Sequence, residues 1–344
     1  MKGLVISGGG VKGAFAVGVL KALQAKYIAD NPSSPDPATE FFREYKVISG
    51  TSTGALIAPL ASQARIQELE DLYTNPNLLK SYYQWKAHQN IPDIVTWENS
   101  VFDVTGLRNQ LRSQLEPICT ELLTNPDATT LFFAAVSMNT AELVYFTNKN
   151  RQAPAGSEYR IQTVTKLDEM LDAIMASANQ PVFAPFVKIQ NQNGVLEDYT
   201  DGGVREYAPI QGVLDQGVTE VDVILNSPAF FEWTTPAAGT KFALIDILNR
   251  TIDLLTGEVG TSDIQYAKRV VDVKSRQLQQ PIRMRIFRPS KGSYGTDHKQ
   301  PFPFKDNNLN FDRGKMVQML DKGMEAVNAP TGEMFELYQA DGIA

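Results

Sequence analysis

Apolar and polar positions follow two different periods in the early part of the chain. Residues 3–7 form a short apolar run typical of a buried strand, and apolar residues then recur at helical spacing over residues 14–27. A second β-branched run at residues 47–49 is followed by a helical pattern that starts near residue 54. Since strands and helices alternate in this way, the pattern predicts an α/β fold with a mostly parallel central sheet.

The rest of the chain continues with elements of both kinds. The predicted helices span residues 54–64, 65–73, 105–115, 166–177, 209–215, 242–256, 262–279 and 312–327. The predicted strands span residues 130–137, 143–147, 182–189, 195–199, 221–225 and 282–287. Because no internal repeat or linker divides these elements, residues 1–344 are expected to form one domain, with helical cover after about residue 240.

A turn of small residues follows the strand at residues 47–49. Its sequence is Gly50-Thr51-Ser52-Thr53-Gly54. This G-x-S-x-G pattern between a strand and a helix is typical of a nucleophile elbow, in which the serine occupies a strained corner at the edge of the sheet. The two glycines leave room for the neighbouring strand and helix. Small residues in a row also form ordinary turns, so the pattern by itself leaves both interpretations open.

A second glycine-rich segment, Gly8-Gly9-Gly10-Val11-Lys12-Gly13, connects the first strand to the first helix. It matches the G-x-G-x-x-G fingerprint of dinucleotide-binding proteins, but the second strand ends without an acidic residue to bind a ribose. It also differs from a P-loop, since Lys12 precedes the last glycine and no Ser or Thr follows. Two interpretations remain: a loop whose backbone N–H groups receive an oxyanion, and a tight turn without a ligand.

The chain has two histidines, which matters for how a serine could be activated. His88 lies in a loosely patterned aromatic segment, and His298 lies in a loop rich in Gly, Pro and Lys at residues 289–305. A Ser-His-Asp triad needs an imidazole within reach of the serine, and neither histidine follows a predicted strand. A surface or packing role is therefore favoured for both, and the sequence leaves the triad as the weaker interpretation.

A carboxylate offers another base for Ser52. The segment Asp201-Gly202-Gly203 follows the strand predicted at residues 195–199. Asp201 could accept the serine proton directly or through water, provided that burial raises its pKa toward the working pH. Two alternatives stay open: an Asp-Gly turn without chemistry, and a Ca²⁺ site that adds Glu197 and Asp198, although this spacing matches no calcium loop that we can name.

Composition and charge narrow the range of functions. The formal net charge is −7, so nothing in the sequence suggests a surface for nucleic acid. Cys119 is the single cysteine, which excludes an intramolecular disulfide and a cysteine-rich metal site. The N-terminal apolar run is too short for a signal peptide, and no stretch reaches the ~18 apolar residues of a transmembrane segment. A cytoplasmic location is therefore expected.

One segment leaves a peripheral membrane contact open. Residues 82–97 contain several aromatic side chains, including Tyr82, Tyr83, Trp85 and Trp97. Side chains of this kind suit a lipid-facing lid or an interfacial anchor. Ordinary packing over the edge of the sheet is the favoured interpretation, because it requires no partner.

Four segments, in this order along the chain, resemble the patatin-like phospholipase family. They are Gly8 to Gly13, Gly50 to Gly54, Ala176-Ser177-Ala178-Asn179-Gln180-Pro181-Val182-Phe183-Ala184-Pro185, and Asp201 to Gly203. Residues 99–111, with Phe102-Asp103 and Thr105-Gly106-Leu107, are similar to a further family segment. The resemblance covers about residues 3–225.

One departure from the family pattern lies in the third of these segments. Asn179 and Gln180 stand where the family often has Ile or Phe before the proline. This difference is expected to alter the pocket wall and to leave the two reacting side chains untouched. After about residue 239 no family motif is evident, so that region is expected to give helical cover and substrate specificity.

The resemblance implies a three-layer α/β/α sandwich and a serine carboxylic-ester hydrolase of phospholipase A type, acting on a lipid or acyl-ester substrate without a metal or other cofactor. Carried over by position, Ser52 is the nucleophile and Asp201 the general base. The backbone amides of Gly9, Gly10 and Val11 form the oxyanion hole. The residues that support these motifs are Gly8, Lys12, Gly13, Gly50, Gly54, Gly202 and Gly203.

Two alternatives to hydrolysis accompany this expectation. An acyltransferase of the same fold would share the acyl-enzyme and pass the acyl group to an alcohol other than water. A nucleotide-binding protein would use the Gly8–Gly13 segment, and the missing ribose acid makes this the weaker alternative.

Overall fold

One large sheet, to which both halves of the chain contribute, organises the fold. The structure is a computed structural model that describes residues 1–82, 84–85, 100, 102–228, 244–290 and 312–340. The strands are β1 (Lys2–Ile6), β2 (Tyr45–Thr51), β3 (Gln84–Trp85), β4 (Phe102–Asp103), β5 (Thr130–Ser137), β6 (Leu143–Thr147), β7 (Tyr159–Thr163), β8 (Val187–Gln190), β9 (Leu196–Asp201), β10 (Glu220–Ile224), β11 (Arg283–Phe287) and β12 (Phe335–Gln339). The helices are α1 (Gly13–Asp30), α2 (Pro37–Arg43), α3 (Thr53–Ser62), α4 (Ile66–Thr74), α5 (Pro76–Tyr82), α6 (Thr105–Leu115), α7 (Cys119–Thr124), α8 (Leu167–Ala178), α9 (Ile210–Leu214), α10 (Leu244–Leu278) and α11 (Arg313–Asn328).

The strand order in the sheet is β12-β11-β10-β1-β2-β5-β6-β7. The neighbours β11, β10, β1, β2 and β5 run parallel to one another. At the two sides of this block, β12 is antiparallel to β11, and β6 is antiparallel to β5 and parallel to β7. The predicted α/β fold with a mostly parallel central sheet is therefore confirmed.

The strands present alternate residues to two separate apolar cores. On one face, Leu4 and Ile6 of β1 pack with residues of α1, α3, α8 and α11. On the other face, Val5 packs with residues of α9 and α10. Helices thus cover both faces of the sheet, which confirms the three-layer α/β/α arrangement. In the part of the chain that the structure describes, none of these helices is both long enough and apolar enough to cross a membrane.

One edge of β5 is shared by two strands that meet end to end. Along the first part of β5, the parallel partner is β2, which ends with Thr51 opposite Ala134. Along the last part, the partner is antiparallel β9, which ends with Asp201 opposite Ala135. Because β6 occupies the other edge of β5, β2 and β9 lie on the same edge. Their last residues are therefore neighbours, although about 150 residues separate them in the sequence.

Helix α10 replaces the two helices predicted at residues 242–256 and 262–279. It continues without a break through Gly257 and Gly260, although glycine disfavours a helix interior by about 1 kcal/mol. Gly260 packs closely on an aromatic ring, since an added Cβ there would lie 2.8 Å from Cδ1 of Tyr207. Tertiary packing outweighs the low helix propensity, so the predicted break was wrong.

Other segments also differ from the prediction, among them β7 and α2, which were not predicted. The strand expected at residues 182–189 begins only at Val187, because the preceding residues form a turn in which Val182 has a φ of 73° and forms a β-bridge with Ser100. The region after about residue 240 supplies two strands of the central sheet as well as helices, and β12 was not predicted. The loop expected at residues 289–305 lies mostly outside the described residues.

Candidate active site

Ser52 occupies the turn between β2 and α3. Its backbone has a φ of 56° and a ψ of −120°, a conformation that residues other than glycine rarely adopt. The turn is sharp because the strand and helix approach closely: an added Cβ would lie 2.3 Å from the Gly54 carbonyl if placed on Gly50, and 2.1 Å from the Ile6 carbonyl oxygen if placed on Gly54. Ser52 is only partly buried at the start of α3, as a nucleophile elbow requires.

Asp201, the last residue of β9, lies beside Ser52. Its side chain is buried, with 7% of the residue exposed. The Gly203 N–H donates a hydrogen bond to Oδ1 at 2.7 Å, and the Ser52 side chain lies close enough to the same carboxyl group to lower its pKa. The end-to-end junction of β2 and β9 thus brings together the two residues that the sequence singled out as nucleophile and base.

Burial raises the pKa of the Asp201 carboxyl group to about 6, against the opposing effects of the Ser52 side chain and of the hydrogen bond from the Gly203 N–H. A carboxylate with this pKa is ionised at neutral pH and is a stronger base than an exposed aspartate. Since the folded-state pKa lies above the unfolded one, the contribution of Asp201 to stability falls as the pH rises through about 6. The site therefore gains basicity at a cost in folding free energy.

The glycine-rich segment lies directly against the elbow. Gly9 and Gly10 have φ values of 144° and 56°, and a short 3₁₀ helix, Gly10–Lys12, follows. An added Cβ on Gly8 would lie 3.5 Å from Cβ of Ser52. The N–H groups of Gly10 and Val11 belong to the first turn of the short helix, where amides have no partner within the helix. The segment can therefore offer N–H donors to an oxyanion formed at Ser52.

The remaining residues of the two glycine motifs have packing roles in the structure. The Lys12 N–H donates to the Gly9 carbonyl oxygen at 3.1 Å, which closes the loop. An added Cβ on Gly13 would lie 2.3 Å from the side-chain oxygen of the first residue of α3, and one on Gly202 would lie 2.3 Å from the Ala134 carbonyl oxygen. Gly13 and Gly202 have no room for a side chain, because the neighbouring segments lie so close.

Two residues of the segment 176–185 hold the backbone of the site. The Ser52 N–H donates to Oγ of Ser177 at 3.1 Å. The Asn179 carbonyl oxygen accepts from the Asp201 N–H at 3.0 Å. Asn179 is 1% exposed, and its side-chain amide donates to the Pro185 carbonyl oxygen at 2.7 Å, so only its main chain contacts Asp201 and the expected effect on the pocket wall stays a prediction. The family-like segment was a signal for these residues, and their contacts were not foreseen.

Asn226 fixes the glycine-rich segment from the side of β10. Its side-chain amide donates to the carbonyl oxygens of Ser7 at 2.9 Å and of Gly8 at 3.2 Å. Its backbone N–H donates to Oγ of Ser7 at 2.9 Å. An added Cβ on Gly9 would lie 2.8 Å from Cβ of Asn226, so the segments around Gly9 and Asn226 are in contact. Apart from its place at a predicted strand end, no feature of the sequence indicated this residue.

Replacing Asn226 with alanine is expected to lower kcat for ester hydrolysis by about 10²-fold, because the glycine-rich segment would shift from the position that its predicted role as oxyanion hole requires. KM should change little. Asn148→Ala is the matched control, since Asn148 is also buried and bonds the Leu122 and Thr129 carbonyl oxygens far from the site. The control should lose similar stability and keep kcat; an equal loss of kcat in both variants would contradict the positioning role.

Two carboxyl groups hold the segment that follows β9: the partly buried Asp263 of α10, and the buried Glu206 of the segment itself. Asp263 accepts a hydrogen bond from the N–H group of Ala208 at 2.9 Å. Glu206 accepts a hydrogen bond from the Tyr145 hydroxyl group. Burial raises the pKa of both carboxyl groups, and the nearby Asp263 raises that of Glu206 further. These contacts fix Tyr207 between α10 and the glycine-rich segment.

The alternative calcium ligands are not brought together with Asp201. Glu197 precedes it by four residues on the same strand, which separates them by roughly 13 Å. The Glu197 carboxylate forms an ion pair with Arg160, and Asp198 lies on the opposite face of the strand. The histidines His88 and His298 lie outside the described residues, as does most of the aromatic segment 82–97.

Comparisons with known proteins found a matching family model and a similar solved structure. A family model described as patatin-like phospholipase matches residues 4–214. A search of curated proteins found no match. Among solved structures, the chain is similar to VipD from Legionella pneumophila, with 15% sequence identity, a TM-score of 0.35, and coverage of 94% of this chain and 67% of VipD. Because the family model matches more than half of the chain, the protein belongs to the patatin-like phospholipase family, whose activity is broadly that of lipid acyl hydrolases.

Proposed function

We propose that this protein hydrolyses fatty-acyl esters through an acyl-Ser52 intermediate, with Asp201 as the general base. The observation that carries the proposal is the junction of β2 and β9, which sets a partly exposed serine on a strained turn against a buried carboxyl group. The family match supports a lipid as the substrate class. The backbone amides of Gly9, Gly10 and Val11, next to the serine, supply the oxyanion hole.

The reaction proceeds in two half-reactions. Asp201 accepts the hydroxyl proton as Oγ of Ser52 attacks the ester carbonyl carbon, and the amides of the glycine-rich segment stabilise the resulting oxyanion. The bond to the alcohol then breaks, and Asp201 returns its proton to the leaving oxygen. In the second half, water attacks the acyl-enzyme, Asp201 accepts a proton from the water, and the proton passes to Oγ as the fatty acid leaves.

We also propose that residues 1–344 form one domain. The strands β11 and β12 come from the last part of the chain and extend the same sheet that carries β1 and β2. Helix α11 packs with residues of α1 in the same apolar core. A limited proteolysis series that releases a stable fragment of residues 1–225 with full ester hydrolysis would contradict this assignment.

The pH dependence of turnover tests the role of Asp201. With a long-chain p-nitrophenyl ester, kcat/KM should rise with pH, reach half of its plateau near pH 6, and stay level above it, because only the ionised carboxylate accepts the serine proton. The measurement is initial rate against pH, with circular dichroism to verify the fold at each pH. A midpoint near the ordinary aspartate value, or no dependence in this range, would contradict Asp201 as the base.

A further inference from the structure

A cavity of about 220 Å³ lies between α10 and the ends of β10, β11 and β12. Part of its wall is apolar, with Leu225 and Ile264 among the lining residues. The side chains of Lys268, Arg288 and Glu336 also line it. Clefts at the carboxyl ends of parallel strands are the usual ligand sites of α/β sheets. The cavity therefore combines a favourable position with a mixed apolar and charged lining.

Positive charge exceeds negative charge in this lining. Lys268 and Arg288 each form an ion pair with one carboxylate oxygen of Glu336. The side chains of Arg288 and Lys268 are only 14% and 28% exposed, so water compensates little of the excess charge. Among the described residues that line the cavity, these three are the charged ones. An anion would balance the positive charge that Glu336 leaves uncompensated.

The two cations also have hydrogen-bond donors to spare. A guanidinium carries five N–H groups and an ammonium three. In the described part of the chain, Arg288 donates to the Glu333 carbonyl oxygen and to Glu336, and Lys268 donates to Glu336. Donors from two different cations suit a phosphate group, which has several acceptor oxygens, better than a single carboxylate.

The ring of Tyr207 connects the cavity to the proposed nucleophile. It lines the cavity, and on α10 an added Cβ at Gly260 would lie 2.8 Å from the ring. On the opposite side, an added Cβ at Gly8 would lie 3.1 Å from the ring and 3.5 Å from Cβ of Ser52. The Tyr207 hydroxyl group hydrogen-bonds Oγ of Ser227, also in the lining, at 2.8 Å. The cavity is thus separated from the elbow by about one aromatic ring.

We propose that this cavity is a subsite for the phosphate group of an amphiphilic phosphate ester, held by Lys268 and Arg288, with the apolar part of the molecule against Leu225 and Ile264. The proposal rests on the proposed function for the statement that the same amphiphile is the substrate, whereas phosphate-ester binding itself does not require hydrolysis. Glu336 holds the two cations in place and competes with the phosphate for their donors.

Binding of octyl phosphate to the Ser52→Ala protein, measured by calorimetry below the micellar concentration, tests the subsite without turnover. Arg288→Gln and Lys268→Met should each weaken binding by about tenfold or more, because each removes a charge-assisted hydrogen bond. Glu336→Gln should tighten binding, an effect that a purely structural ion cluster would not show. Lys274→Met is the matched control on the same helix, since Lys274 pairs with Asp215 away from the cavity.

Three results would overturn the subsite. The first is the absence of octyl phosphate binding to folded Ser52→Ala protein, or binding that the Arg288 and Lys268 variants leave unchanged. The second is equally tight binding of neutral octyl glucoside. The third is equally tight binding of inorganic phosphate, which would indicate a site for the free ion. If octyl phosphate binds as expected but Ser52→Ala still hydrolyses esters at the wild-type rate, the subsite stands and the proposed function fails.

Discussion

Replacing Ser52 with alanine is expected to reduce kcat for a long-chain p-nitrophenyl ester by about 10⁴-fold or more, since the variant has no hydroxyl group to form the acyl-enzyme. The fold should be retained, because the alanine keeps the β-carbon and Ser52 contributes no side-chain hydrogen bond to the cap of α3. Initial rates, together with far-UV circular dichroism and thermal unfolding, measure both expectations.

Two control variants test whether the loss of kcat is specific to Ser52. Ser62→Ala changes a residue at the end of the same helix, where the hydroxyl group donates to the Pro59 carbonyl oxygen, and this variant should keep wild-type kcat. The double variant His88→Ala/His298→Ala should also keep its activity, since the account uses no imidazole. A collapse of turnover in the folded double variant would support a triad instead of a Ser-Asp dyad.

A glycine at position 52 separates backbone strain from chemistry. Ser52 has a φ of 56° with a ψ of −120°, a region that costs a residue with a β-carbon about 1–3 kcal/mol. Ser52→Gly should therefore unfold at a higher temperature than Ser52→Ala, while both lack activity. Equal stability of the two variants would mean that the turn is not strained.

Replacing Asp201 with asparagine is expected to lower kcat by about 10²- to 10⁴-fold, because the amide cannot accept the serine proton. The variant should also lose the rise in activity near pH 6, since that rise follows ionisation of Asp201. Its residual rate is expected from the oxyanion donors and from substrate binding, which the substitution leaves in place.

The same substitution is expected to raise folding stability, whereas it lowers kcat. In the wild type, the ionised carboxyl group is buried, and its pKa of about 6 means that folding stability decreases as pH rises through that value. Asp201→Asn removes this dependence and should be more stable than the wild type well above pH 6. Asp198→Asn, a substitution on the other face of the same strand, is the control and should change neither kcat nor the pH profile. A wild-type rate in Asp201→Asn would contradict the dyad.

The local parts of the site could be predicted from the sequence because each is a continuous segment. A strand, a turn of small residues and a helix are enough to identify Ser52 as an elbow residue, and Gly8 to Gly13 likewise form one continuous loop. Asp201 was one candidate base at a predicted strand end, and the resemblance selected it and implied the three-layer fold. The scarcity of histidine indicated a carboxylate base before any geometry was available.

The junction that joins these parts could not be predicted, because it depends on register between distant strands. Pairing of Thr51 with Ala134 and of Asp201 with Ala135 is fixed by three segments of the chain that share β5. Nothing in the periodicity of β9 indicates that it continues the edge where β2 stops. Asn226 was missed for a related reason, since its role appears only once β10 lies beside β1.

The C-terminal region was predicted least well. Its apolar pattern predicted three helices and one strand, but the first two helices form the single helix α10, whose continuity depends on the packing of Gly260 against Tyr207. Strand β12 alternates polar and apolar residues only weakly and pairs at the edge of the sheet. For these reasons the sequence alone does not reveal the cavity lined by Lys268, Arg288 and Glu336.

The most direct test of the account is covalent labelling of the intact protein with a long-chain fluorophosphonate, which reacts as an ester analogue with an activated serine. Mass spectrometry should show one adduct per chain, located on Ser52, with loss of ester hydrolysis in proportion to labelling. The adduct should be absent from Ser52→Ala and should form much more slowly in Asp201→Asn. Labelling of another residue, or labelling of Asp201→Asn at the wild-type rate, would contradict a nucleophile at Ser52 activated by Asp201.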